Sequence, residues 1–275
     1  MGLIENIGGI LVKKALLTFL LVPFLIGGYS INTQAAEITE TEDPNVIETP
    51  KDYINYLEDN INNNSIEDDE KESAKEVLDQ FKELSKEDQE KFMNYMNDPD
   101  VAQDILEADN SALAETEGNV DEDGEETTSL YDGDVEVTKE VNVAPQINTM
   151  SAYSLAKASA SKIVTHKATY KSIHRLMGIN VITTQSYVRY YSDGKKVTKI
   201  LDGGGIVIKN WYPAIRLTKS EKKPYINSAK TRAYETVIWE WDFVHKSLGL
   251  VMGTREQRVY GTYNGYQGGT DILIK

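Results

Sequence analysis

The stretch 186–201 constrains the fold more than any other. Two runs rich in Tyr, Val, Thr and Ile flank Asp193-Gly194. Asp-Gly accepts the positive φ of a two-residue type I′ turn, whose twist matches that of paired strands. The pattern predicts a β-hairpin. Val188 and Tyr190 fall on one face and Tyr187, Arg189 and Tyr191 on the other, because side chains alternate along a strand.

The C-terminal region is expected to build outward from this hairpin. From about residue 160 onward helix signals nearly vanish, and candidate strands cover 162–175, 178–192, 195–201, 205–217, 229–246, 248–261 and 270–275. Gly178, Asp193-Gly194, Gly203-Gly204-Gly205, Lys222-Lys223-Pro224 and Gly268-Gly269 read as the breaks between them. The clearest strand is 235–244, where Val237, Trp239, Trp241 and Phe243 alternate with Glu240 and Asp242. That alternation describes a half-buried strand, its aromatics in the core and its acids toward solvent. Short strands at such intervals indicate an antiparallel sandwich or barrel.

Charge divides the chain. Residues 151–275 carry 20 Lys and Arg against 8 Asp and Glu, a net of +12; residues 37–150 carry 7 against 35, a net of −28. The overall charge of −15 averages two unlike halves. There is no cysteine, so disulfides, thiolate nucleophiles and Cys-ligated zinc are excluded.

At the N-terminus Lys13-Lys14 precedes a nearly apolar run from Ala15 to Ile26, and Thr33 and Ala35 supply small residues before a cleavage point. Residues 1–36 read as a secretory signal peptide, cleaved after Ala35 or Ala36. The retained-anchor reading is weakened by Pro23 and Gly27-Gly28 and by a run shorter than the ~20 residues a span needs. Residues 1–11 suit no basic leader, and Val12 is an alternative start of the protein.

Residues 37–109 read as short amphipathic helices. Pro50 lies near the start of the first, which carries Tyr53, Ile54, Leu57 and Ile61 at helical spacing. Asn62-Asn63-Asn64 breaks the pattern, and Ser65 is the expected cap of a second helix with Ala74, Val77, Leu78, Phe81 and Leu84 in one stripe. Ser85 opens a third helix and Asp98-Pro99 a fourth. About a dozen core candidates make a bundle of marginal independent stability. Residues 110–150 read as an acidic linker, disordered where charge is densest. Within it, Val135, Val137, Val141 and Val143 fit either an added edge strand or an extended tether. Asp121–Glu126 lacks the ligand spacing of an EF-hand. The expected fold class is therefore α+β in several parts: signal peptide, small acidic helical bundle, acidic disordered linker, and a C-terminal antiparallel all-β sandwich or barrel over 151–275.

No chemistry announces itself. His166, His174 and His245 show no metal-ligand spacing, and no nucleophile elbow, P-loop or dinucleotide fingerprint occurs. A Glu240/Asp242 acid pair for glycoside hydrolysis is weaker than the reading of both as solvent-facing. No catalytic residue, metal ligand or cofactor is assigned.

The expected function is that of a secreted, extracellular or wall-associated, non-enzymatic binding protein. Its basic β domain meets anionic wall polymers or lipid headgroups through Arg189, Lys195, Lys196, Lys199, Tyr187 and Tyr191. The acidic segment is its intramolecular partner, a mask or propeptide. The alternatives are an antibacterial or toxin-like protein released by cleavage in the linker, and a cell-wall hydrolase. Nucleic acid is not an expected partner of an exported chain. Protein recovered from the medium should begin at Ala36 or Glu37; N-terminal sequencing that finds Lys13-Lys14 retained would rule out the cleavage.

Overall fold

A computed structural model describes residues 47–109, 111–112, 124–146, 163–245 and 248–274. The signal peptide with Val12, Ala35 and Ala36 lies outside them, as do residues 113–123 and 147–162 of the expected linker and β domain. The described residues all fall within one compact unit, Glu42–Lys275.

Among the described residues four helices come first: α1 Pro50–Asn62, α2 Asp68–Glu83, α3 Lys86–Asn97 and α4 Pro99–Ala108. Local chemistry sets their ends. Thr49 and Asp52 form a reciprocal capping box on α1, and Pro50 occupies its first turn. Ser85 accepts from the Asp88 amide at the start of α3, and Asp98 from the Asp100 amide at the start of α4. Ser65 does not cap α2. The helix begins three residues later at Asp68, after Glu67, and lacks a side-chain cap. The Ser65 amide instead donates to Asn63 Oδ1 (2.9 Å), which holds the preceding residues in a turn.

Eleven strands follow among the described residues: β1 Ser111–Ala112, β2 Gly124–Leu130, β3 Val135–Gln146, β4 Val164–Leu176, β5 Ile179–Ser192, β6 Val197–Asn210, β7 Ile215–Glu221, β8 Tyr225–Ile226, β9 Arg232–His245, β10 Leu248–Thr262 and β11 Gln267–Ile274. They form two antiparallel sheets rather than a closed barrel: β1-β11-β10-β9-β7, with β8 on β9, and β2-β3-β4-β5-β6. Part of the expected linker is thus sheet. The valines from Val135 lie in β3, an interior strand between β2 and β4, and Val135 and Val137 are fully buried.

The 186–201 hairpin forms as β5–β6, with Val188 and Tyr190 buried and Tyr187, Arg189 and Tyr191 half-buried on the other face. Its reversal is displaced by one residue. Gly194 alone has positive φ (79°), and Asp193 stands before the turn rather than in it. The Asp193 amide bonds the Lys196 carbonyl (3.1 Å). The Asp193 carboxylate accepts the amides of Lys195 (3.0 Å) and Lys196 (2.9 Å), which fixes the aspartate at the first position. Gly203-Gly204-Gly205 is not a break either; it lies inside β6. A Cβ on Gly203 would strike the Glu235 carboxylate, and one on Gly205 would strike Val237 and Trp239. The run is glycine because the opposite sheet presses on it. The real break comes at Trp211–Ala214, between β6 and β7.

The helices share their core with the sandwich. Tyr53, Phe81, Phe92, Met96 and Leu106 belong to one buried cluster with Val135, Leu176, Ile179, Tyr212, Trp239, Trp241 and Phe243. They cap the end where β3 and β5 begin and β4 and β9 end. Polar contacts fix the register of the cap. Tyr53 Oη donates to the Trp211 carbonyl (2.8 Å), Trp211 Nε1 to Ser73 (2.9 Å) and Tyr212 Oη to the Tyr95 carbonyl (3.0 Å). Asp134 takes Tyr95 Oη (2.9 Å) and pairs with Lys91.

This shared core predicts one cooperative unit. Phe81 lies wholly on the helical side, packed edge-on against Tyr53 and Phe92 with ring centroids 5.0 Å away in each case. Trp239 and Trp241 lie on β9 in the sandwich, and Trp211 lies in the β6–β7 connection, bonded to α2. Phe81→Ala should cost about 3–5 kcal/mol and lower the unfolding midpoint equally by helical dichroism and by tryptophan fluorescence. Two separate transitions would show that the helices fold on their own.

Candidate functional site

A polar network crosses the sandwich interior where α4 ends. Asp109, the C-cap of α4, accepts from Ser172 Oγ (2.5 Å) and from His174 Nε2 (2.7 Å), both on β4. Arg255 on β10 donates Nε to Asp271 Oδ1 (2.9 Å), lies 3.6 Å from Asp109 Oδ2, and donates to the Leu106 carbonyl. Lys139 Nζ takes the next free helix carbonyl, that of Ala108, at 3.1 Å. Gln257 extends the network to Asp271 (3.2 Å), Trp239 Nε1 (3.2 Å) and Ser186. Burial pushes both carboxyls upward. At Asp109 the charges of Arg255 and His174, and the bonds from His174 and Ser172, prevail, so it sits well below the usual carboxylate range. Asp271 is raised to about 6 by burial, against the pull of Arg255 and with Asp109 already charged nearby.

Ser172, His174 and Asp109 have the composition of a catalytic triad without its geometry. A triad uses both imidazole nitrogens, one toward the nucleophile and one toward the acid. Here Nε2 faces both, at 3.0 Å from Ser172 Oγ and 2.7 Å from Asp109, while Nδ1 is buried without a partner among the described residues. All three residues are at most 1% exposed, so no substrate reaches them. The cluster closes the end of α4.

Glu235 is the second buried anomaly. It projects inward from β9, and neither carboxylate oxygen has a hydrogen-bond partner among the described residues. Burial raises its pKa to about 7, and the nearby Glu221 charge adds to the rise. Glu221 closes the seam above it: its carboxylate accepts from the Gly205 amide (2.9 Å), while Lys219 donates to the Gly205 carbonyl.

Of the residues expected to meet anions, Lys195, Lys196, Lys199 and Tyr191 lie at the end of the sandwich away from the helices, and Tyr187 and Arg189 lie further back along β5. Lys195 and Lys196 are exposed in the β5–β6 turn, and Lys199 is exposed on β6 opposite Tyr191. The structure adds Lys230, exposed in the β8–β9 loop, which the sequence does not connect to them. The Val197 amide donates to the Lys230 carbonyl (2.7 Å), and the Tyr263 amide donates to that of Thr231 (3.0 Å), so three loops are bonded together. Lys230 holds a left-handed φ of 57°, braced by Asn227 Oδ1 accepting from the Thr231 amide (2.8 Å). Beside them Tyr225 and Tyr234 stack at 5.0 Å, and Arg232 lies 4.6 Å over the Tyr260 ring. Arg189 is less available than its sequence implies: Asp202 holds its guanidinium through two bonds, Nε at 2.6 Å. Tyr187 lies under Lys167, 5.1 Å from ammonium to ring centre.

The other candidates separate. His166 bonds Ser192 Oγ (2.9 Å) and stacks on Tyr190 (5.2 Å) inside the sandwich, and burial lowers its pKa. Glu240 is exposed, but Asp242 is not solvent-facing. It is 4% exposed and held by Arg216 Nε (2.9 Å), so the two acids do not form a pair. Gly124–Glu126 of the acidic stretch weighed for calcium belong to β2. Among the described residues no group of three or more His, Asp or Glu could hold a metal. The fold and site together define a helix-capped, two-sheet β protein with a basic, tyrosine-bearing loop end. No protein-family model, curated protein or solved structure matches the chain.

Glu235 makes stability depend on pH with a definite sign. Its raised pKa means the native state holds a proton that the unfolded chain releases near pH 4.5. Its contribution is intact below that value and is lost as pH rises through about 7. Glu235→Gln should therefore stabilise the protein at pH 8 by about 1–3 kcal/mol and change little at pH 4. Urea unfolding at both values checks this; equal effects at both would mean that the carboxyl is not held neutral.

Proposed function

We propose that the protein is a non-enzymatic binding protein that engages anionic polymers of the cell envelope, wall polymers or lipid headgroups, through the loop end carrying Lys195, Lys196, Lys199 and Lys230. The export signal read over residues 1–36 puts that encounter outside the cell. The reading rests on one observation: three exposed lysines, Lys195, Lys196 and Lys230, lie on bonded loops with exposed Lys199 on the adjoining strand, and none of the four has an ion pair among the described residues. Tyr225 and Tyr234 supply the amphipathic rings that suit a headgroup or sugar surface.

Distance decides what the acidic helices contribute. Strand β5 runs 14 residues from Ile179, in the core shared with the helices, to Ser192 at the lysine turn. That is about 45 Å of strand, against a Debye length of about 8 Å at physiological salt. The helical carboxylates are too far away to neutralise the lysines. Their effect is to repel an anionic surface from their own end and so orient the other end toward it. Because they complete the core, we assign the helices as a permanent cap rather than a removable propeptide.

Replacing Lys195, Lys196 and Lys230 together by Gln should remove about 1 kcal/mol each, a loss of roughly a hundredfold in affinity for anionic vesicles. Co-sedimentation with phosphatidylglycerol vesicles and with teichoic-acid-bearing walls, across a salt series, checks this and separates the two surfaces. Unchanged retention by the variant would sink the proposal, and release of soluble wall fragments would favour a hydrolase instead.

A further inference from the structure

A cleft of about 760 Å³ opens between the first half of α2 and the end of β6, at the helical end of the molecule. One wall is acidic: Glu67, Asp69, Glu70 and Glu72 line it, all exposed and without an ion pair among the described residues. Glu76, further along, is engaged by Lys209 at 3.0 Å. The other wall is apolar. Val207 and Ile208 line it, and with Ile206 they are 39–48% exposed, three aliphatic side chains in a row facing water. Trp211, held by its bond to Ser73, joins the two walls.

Backbone geometry gives the cleft a direction. Strand β6 is the edge of its sheet. The Gly205 amide and carbonyl point away from β5, because Glu221 and Lys219 of the other sheet take them. The pairing Ser186↔Gly205, Gln185↔Ile206, Thr184↔Val207 is regular, so the outward parity passes to Val207. The bulge at Ile208 follows directly. An unpaired strand edge beside exposed aliphatics is a template for an added strand.

We infer that this cleft docks an extended cationic peptide segment, which adds as a strand along β6 at Val207 while its Lys or Arg side chains meet the α2 carboxylates. Charge complementarity selects the occupant. A second copy of the chain pairing edge to edge about a two-fold axis would bring two acidic α2 walls together, and like charges oppose it. An anionic ligand is opposed by the same wall.

The test uses the whole mature chain and a fluorescein-labelled peptide of alternating Lys and Val, followed by anisotropy. Saturable, salt-sensitive binding is expected, with none for the Glu-Val counterpart. Glu70→Lys with Glu72→Lys, both on the exposed helix face, should weaken binding at least about tenfold. Val207→Pro should do the same while leaving the β5–β6 ladder intact, since the amide it removes points outward; circular dichroism verifies the fold. If Val207→Pro fails to fold, the charge-reversed variant still decides. Unchanged affinity in the charge-reversed variant, or no saturable binding of the Lys-Val peptide, overturns the inference. So does a dimer by sedimentation that Val207→Pro dissolves.

Discussion

Arg255 is the interaction on which the two halves of the molecule depend. A single guanidinium, 1% exposed, meets the Leu106 carbonyl at the end of α4, the carboxylate of the C-cap residue Asp109 and the Asp271 carboxylate of β11. A helix C-terminus leaves unsatisfied carbonyls and partial negative charge, and burying them without donors is costly. Arg255 and Lys139 supply those donors from opposite sheets, so the end of α4 is held between them. Lysine could not replace the arginine, because three acceptors in different directions need the planar fork. Removing the guanidinium would leave two buried carboxylates without their main countercharge, a defect on the order of 3–5 kcal/mol. Ser172 and His174 belong to the same arrangement, since Ser172 donates to Asp109 Oδ1 and His174 to the Oδ2 that Arg255 approaches.

Local features were legible in the sequence because their causes are local. Ser85 and Asp98 cap helices as their spacing implies, and Val237, Trp239, Trp241 and Phe243 are buried as their alternation implies. The misreadings share a different cause. Gly203–Gly205 resembles a turn until Glu235 and Trp239 arrive from the other sheet. Asp242 looks solvent-facing until Arg216, distant in sequence, pairs with it. Val135 and Val137 lie in an acidic stretch, yet they form an interior strand because β2 and β4 flank them. Charge counting fails for the same reason: Asp109, Lys139, Glu235, Arg255 and Asp271 count as surface charge in the composition but are all buried. Lys230 joins Lys195 and Lys196 through one backbone bond between loops, which no spacing rule encodes.

The partition of charge survives folding in altered form. Most exposed carboxylates lie on the outer faces of the helices and on β2, while Lys195, Lys196, Lys199 and Lys230 lie at the loop end. The two ends lie further apart than ions in solution allow charges to act. Each end therefore faces its own environment, and the helices dock through the shared apolar core and the buried contacts of Arg255 and Lys139, not through attraction between the two ends. On the exposed side Lys209 pairs with Glu76 of α2, and Lys91 of α3 pairs with Asp134 before β3.

The sheet edges carry the same logic to a finer scale. A two-sheet fold that does not close leaves edge strands, which must be blunted. Strand β2 presents exposed Glu125 and Glu126, which discourage a further strand. The seam between β6 and β7 is closed as far as Gly205 by Lys219 and Glu221, whose side chains occupy backbone groups that a neighbouring strand would otherwise take. Beyond Gly205 this protection stops, and Ile206, Val207 and Ile208 are left exposed. A chain selected only for solubility would place a lysine among them. Instead the nearest lysine, Lys209, is turned to Glu76, and the open wall opposite is acidic. That wall repels most chains of an acidic neighbourhood, including copies of itself, but attracts cationic ones. An edge guarded by a field of one sign is closed to general aggregation and open to a partner of the other sign.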